Sequence, residues 1–171
     1  MQSLMIRIAR FVVALALCQG AATVHAASIN VSVNATALKA LEITKLQDLD
    51  LGTITLGPGT WSNASVSISQ LGAFACPPVN ITCAGATSVA SYNVQGSNKG
   101  TVSISAPNVT LINQNDSSQR LTLAVDSPTS VVIPNSGQPG VNFSIGGSIT
   151  VNSTTGGGVY VGTFNVTVDY Q

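Results

Sequence analysis

The amino-acid sequence predicts an all-β fold, a single antiparallel β-sandwich, on three observations. Short runs alternate apolar side chains with Ser, Thr or Asn, the period-2 pattern of strands that bury one face. Turn formers cut these runs at close intervals, with 16 Gly and 7 Pro in 171 residues. No segment carries the apolar spacing of a long amphipathic helix.

The first 26 residues read as an export signal. Arg7 and Arg10 form a positive n-region, Phe11 to Leu17 an apolar core, and Val24-His25-Ala26 a small-residue boundary, so cleavage is expected after Ala26. The apolar run is shorter than the ~20 residues that a membrane-crossing helix needs, so no transmembrane anchor is expected after cleavage. Cys18 follows Leu17, where a lipoprotein peptidase requires a small residue, which argues against lipidation.

Cleavage leaves residues 27–171 as one domain, large enough to bury roughly two-thirds of its unfolded surface. Ile29, Val31, Val33, Ala35 and Ala37 alternate with Asn30, Ser32, Asn34 and Thr36, so residues 27–37 open the domain as a strand. Leu38 to Leu46 is compatible with a helical turn or a strand, and Asp50 to Leu56 reads as a strand that ends at Gly57-Pro58-Gly59. Further strands are expected at Ala64–Ile68, Val89–Val94, Val102–Ile104, Val109–Ile112, Leu121–Val125 and Val131–Ile133. Val141–Ile145 and Ile149–Val151, separated by Gly146-Gly147, predict a bulged strand or a hairpin. Val159 to Tyr170 is the strongest strand, with Tyr160, Gly162, Phe164, Val166, Val168 and Tyr170 on one face.

Composition excludes several functions. Arg7 and Arg10 leave with the leader, so Lys39, Lys45, Lys99 and Arg120 face six carboxylates, for a net charge of −2. Four scattered cations cannot build the basic face that nucleic acid or anionic lipid requires. The single histidine, His25, lies in the leader, which leaves no imidazole for general base work or metal ligation. Asp48 and Asp50 are the only close carboxylate pair and read as a solvated turn; with Asn113, Asn115 and Asp116 they do not reproduce a calcium loop. No catalytic residue, cofactor or metal site is therefore expected.

Cys76 and Cys83 are the cysteines that survive cleavage, and in an oxidising compartment they are expected to pair as a local staple. The spacing is too wide for a redox motif, and a zinc site lacks its other ligands. Only 7% of residues are charged. The polar faces rest instead on Ser, Thr and Asn, whose abundance also produces Asn-x-Ser/Thr triplets by chance. Sparse charge removes one of the devices that keep strand edges from pairing with other chains.

The stretch G-V-Y-V-G-T-F-N-V-T-V-D-Y-Q, the preceding F-S-I-G-G-S-I-T-V and the early L-D-L-G-T-I resemble an uncharacterised family of secreted bacterial β-domains. That family is similar in layout to the pilin subunits of chaperone–usher systems, including the spore-coat-U-like archaic pilins. Such subunits carry a penultimate aromatic residue and a glycine fourteen places from the end; Tyr170 and Gly158 stand at those positions. The mid-chain cysteine loop departs from the early-strand disulfide of many pilins. The resemblance implies an immunoglobulin-like sandwich that lacks one strand and is completed by the N-terminal segment of a neighbour, a β-augmentation.

On that reading Ile29, Val31, Val33 and Ala35 are donor-strand candidates, and the partners are other copies or related subunits, a periplasmic chaperone and an outer-membrane usher. The protein would then be a non-enzymatic subunit of a surface pilus, exported through the periplasm of a Gram-negative bacterium to the cell surface. Periodicity alone also fits residues 27–37 as strand A of a complete domain, since a strand looks alike whether it pairs within or between chains. The alternative function is a monomeric secreted or surface adhesion domain that binds carbohydrate, with Trp61 and Asn63 as its candidate face.

Overall fold

The computed structural model describes residues 28–171. The expected leader, its cleavage boundary and Cys18 lie outside the described residues. The chain divides into a unit that ends at Ala35 and a unit from Thr36 to Gln171. All strands lie in the second, and among the described residues there is no helix.

The strands are β1 (Glu42–Gln47), β2 (Thr53–Leu56), β3 (Ala64–Ile68), β4 (Phe74–Ala75), β5 (Ile81–Ala84), β6 (Ala90–Gln95) and β7 (Thr101–Ser105), followed by β8 (Val109–Asn113), β9 (Arg120–Asp126), β10 (Ser130–Val132), β11 (Val141–Val151), β12 (Tyr160–Val161) and β13 (Thr167–Tyr170). Every pairing is antiparallel, as expected. The largest sheet runs β1-β6-β11-β9-β8-β12, with β3 paired to β11 and β4; β10-β7-β13 and β2-β5 form two smaller sheets.

β11 organises the largest sheet. Its first half, Val141–Ile145, pairs with β6, and its second half pairs with β9 and β3. The Gly146-Gly147 step is neither a bulge nor a hairpin turn: Phe143, Ile145, Gly147, Ile149 and Val151 are all buried, so the alternation continues through it. The step is where β11 leaves β6 and joins β3. A Cβ at Gly146 would collide with the Ile68 carbonyl oxygen, so only glycine permits that approach.

Two clusters fill the interior. One gathers Ala64, Val66, Ile81, Leu123, Ile149 and Val151. The other gathers Ala90, Tyr92, Val94, Ile104, Phe143 and Ile145, with Tyr92 stacked on Phe143 at 5.4 Å between ring centres. Leu49, Val125 and Phe164 pack against both.

Two expected strands differ. Residues 28–40 form no strand, because alternation prepares a segment for a ladder but cannot supply a partner. Val159–Tyr170 is broken into β12 and β13, with residues 162–166 outside any ladder among the described residues. The Leu38–Leu46 region resolves to the strand β1, whereas β4 and β5 were not anticipated.

Candidate assembly site

The segment from Val159 to Tyr170 borders two sheets. β12 pairs only with β8, so it ends the largest sheet, and β13 pairs only with β7, so it ends the three-stranded one. Residues 162–166 cross between them. Along this run Tyr160, Phe164, Val166, Val168 and Tyr170 are half-buried, while Thr163, Asn165, Thr167 and Asp169 are exposed. β6 buries Ala90, Tyr92 and Val94 as core, whereas β8 and β9, also paired on both flanks, leave Val109, Leu111, Leu121 and Val125 half-buried. What sets the C-terminal run apart is its pairing: β12 and β13 each have a single ladder partner, and residues 162–166 have none among the described residues.

The glycines of the segment answer to β8. Gly158 has φ +149°, and a Cβ there would collide with the Asn113 amide. Asn113 is buried; its Nδ2 donates to the Gly157 carbonyl at 3.1 Å, and its Oδ1 accepts from the Asn115 amide at 2.9 Å. At Gly162 a Cβ would stand 2.7 Å from Leu111 Cδ2 and 2.9 Å from the Thr110 oxygen. The Tyr160 hydroxyl donates to the Gly156 carbonyl at 2.7 Å, which fixes the bend that enters β12.

The N-terminal candidates have the opposite character. Ile29, Val31 and Val33 are 88, 77 and 84% exposed, and Ala35 is exposed as well. These three β-branched side chains alternate with polar residues in the sequence and are all exposed, so an extended strand would gather them into one apolar stripe.

Cys76 and Cys83 are joined, as expected. The loop they close contains the start of β5, so the staple holds the β2-β5 pair against the first cluster, where both cysteines pack. Trp61 is half-buried against the same cluster, with Nε1 donating to the Gly57 carbonyl at 3.2 Å, which accounts for it as a packing residue. Asp48 pairs with Lys45 at 2.7 Å, and Asp50 caps the Gly52 amide at 2.8 Å. The Asp48 hydrogen bond, more than its charge, holds the Lys45 ammonium above its ordinary pKa, while burial pushes the Tyr92 phenol up. Among the described residues no three His, Cys, Asp or Glu side chains gather to hold a metal. A shallow cleft of about 460 Å³ lies over Arg120, Thr122, Ser148 and Thr150; it has a polar lining without an aromatic platform.

Sequence reading missed Asn113 as a buried anchor, and it missed the link of the Tyr170 hydroxyl to Ser97 and Lys39. The latter joins positions 73 and 131 residues apart, for which no local pattern exists.

The fold and its edge define an antiparallel all-β domain, stapled by one disulfide, whose last strands close neither of two sheets. The chain belongs to the family described as a domain of unknown function, DUF4402, which matches residues 41–170. The match takes in every strand and begins after the exposed 28–40 segment. No curated protein and no solved structure matches the chain.

Proposed function

We propose that the protein is a non-enzymatic structural subunit of a bacterial surface filament, in which the 29–37 segment of one copy completes the open edge of the next. The subunit is exported with loss of its leader, kept soluble in the periplasm by a chaperone, and assembled head to tail at an outer-membrane usher. A heterologous contact of this kind does not close on itself and yields an open fibre.

One observation carries the reading: the half-buried apolar row from Phe164 to Tyr170 and the exposed row from Ile29 to Ala35 share the same period and number of side chains. Nine residues, 29–37, extend about 30 Å, which is the reach of residues 162–170. Main-chain pairing along that edge would supply the ladder that 162–166 lacks, and the donor side chains would cover the apolar row from its bare flank. Burial of Ile29, Val31 and Val33 contributes roughly 5 to 8 kcal/mol before ordering costs.

The test is electrophoresis of unheated material sheared from cells of the native host. A ladder of multimers that collapses to monomer on heating is expected. A single monomer band, with a monomer by light scattering, refutes the filament and leaves a monomeric secreted or surface domain as the account.

A further inference from the structure

We infer that Tyr170 is a positioning residue: its side chain latches the root of the N-terminal extension, at Lys39, to the loop between β6 and β7. The latch belongs to the single subunit and stands whether or not subunits assemble.

A phenol hydroxyl has one proton to give and lone pairs to accept with. The Tyr170 hydroxyl accepts from the Ser97 amide at 2.6 Å and donates to the Lys39 carbonyl at 2.7 Å. The Lys39 amide in turn donates to Ser97 Oγ at 2.7 Å. Both main-chain polar groups of Lys39 are thereby held, although Lys39 lies outside any strand. Two residues later Leu41 turns inward to the second cluster, so Lys39 is the last point at which the extension is tied before the domain begins.

The ring sits in a socket built by absence. A Cβ on Gly96 would collide with the Tyr170 hydroxyl, and one on Gly100 would stand 2.9 Å from its Cε1. Neither glycine has a positive φ, so these positions need glycine for space rather than for backbone conformation. The loop that carries them is fixed independently: Lys99 N and Gly100 O bond to Ile133 at 2.8 and 3.0 Å, and Asn98 N bonds to Ser136 Oγ at 2.8 Å. A rigid loop, two missing Cβ atoms and three convergent hydrogen bonds, two of them to Lys39, amount to an anchorage. It sets where the extension leaves the domain, beside the end of the open strand β13.

Trypsin reads this directly, because the bond after Lys39 is a cleavage site that the latch protects. Tyr170→Phe keeps the ring in the socket and removes both hydroxyl bonds. Cleavage after Lys39, and amide exchange at Lys39 and Ser97, should rise about tenfold. Cleavage after Arg120, inside β9, and exchange at Val94 should stay unchanged. No change at Lys39, or an equal rise at Arg120, overturns the inference. If Tyr170→Phe does not fold, amide exchange in the unmodified protein gives the reading, because the Ser97 amide donates to the Tyr170 hydroxyl: slowed exchange at Ser97 supports the latch, and exchange as fast as that of an unprotected amide overturns it.

Discussion

Asn113 is the one polar side chain fully buried among the described residues, and it shows how a residue can be essential without chemistry. Its amide ties the β12 approach to the turn after β8, and Gly158 exists to let it do so. Asn113→Ala removes two hydrogen bonds, to the Gly157 carbonyl and from the Asn115 amide, each contributing about 0.5–1.5 kcal/mol, so it should cost about 1–3 kcal/mol in urea unfolding; a loss under a few tenths contradicts this account. In the sequence Asn113, Asn115 and Asp116, taken with Asp48 and Asp50, could only be compared with a calcium loop whose spacing they do not repeat, because polar residues in a turn look the same whether they face an ion or the backbone. Here Asp116 caps its own turn: the Ser118 hydroxyl and amide both donate to it and hold its carboxyl below the ordinary 3.8. A depressed folded-state pKa stabilises above the unfolded value, and that contribution is lost as pH falls through the folded one. The Ser118 amide resonance should therefore titrate with a midpoint below 3.8, and a midpoint above it rejects the cap.

At the scale of elements, what was legible tracks what is local. β3, β6, β7, β8 and β9 lie within a residue or two of the alternating runs that announced them, because a central strand's period is written in its own residues. The break at 162–166 could not be read, since whether an alternating run is paired depends on what lies beside it. β5 was hidden in the cysteine loop, too short to show a period. The Gly146-Gly147 step was legible as special and illegible in kind: close approach of β3 is a fact about a distant strand. Gly146→Ala should cost at least about 2–3 kcal/mol, since the Ile68 carbonyl and the β3 ladder must give way. The paired change of Cys76 and Cys83 to Ser should cost about 2–2.5 kcal/mol, the chain entropy of an eight-residue loop. A thermal or denaturant midpoint unchanged by either variant removes the corresponding role.

For the whole molecule, the question is why an apolar stripe and an apolar edge coexist in a chain with so little charge to keep them apart. Edges left open are usually defended by charge, proline or a covering loop. Here Asp169 is the only charged residue between Val159 and Tyr170, a composition that tolerates pairing with another strand. The stripe and the edge can be separated experimentally because the stripe is exposed within its own chain. Val31→Asp with Val33→Asp replaces side chains that are 77 and 84% exposed, so the thermal midpoint of the isolated subunit should not move by more than a degree or two. In the proposed filament the same two carboxylates would be buried without partners against the row from Phe164 to Tyr170, which costs several kcal/mol for each ion. Loss of that size outweighs the roughly 5 to 8 kcal/mol that the stripe contributes, so the multimer ladder should vanish while a folded monomer remains. The double variant thus distinguishes the two readings of residues 29–37. A segment that pairs within its own chain would lose stability in the monomer, as the paired measurement of midpoint and ladder would show. If instead both stay as in the wild type, the segment is spectator to assembly and the donor assignment fails.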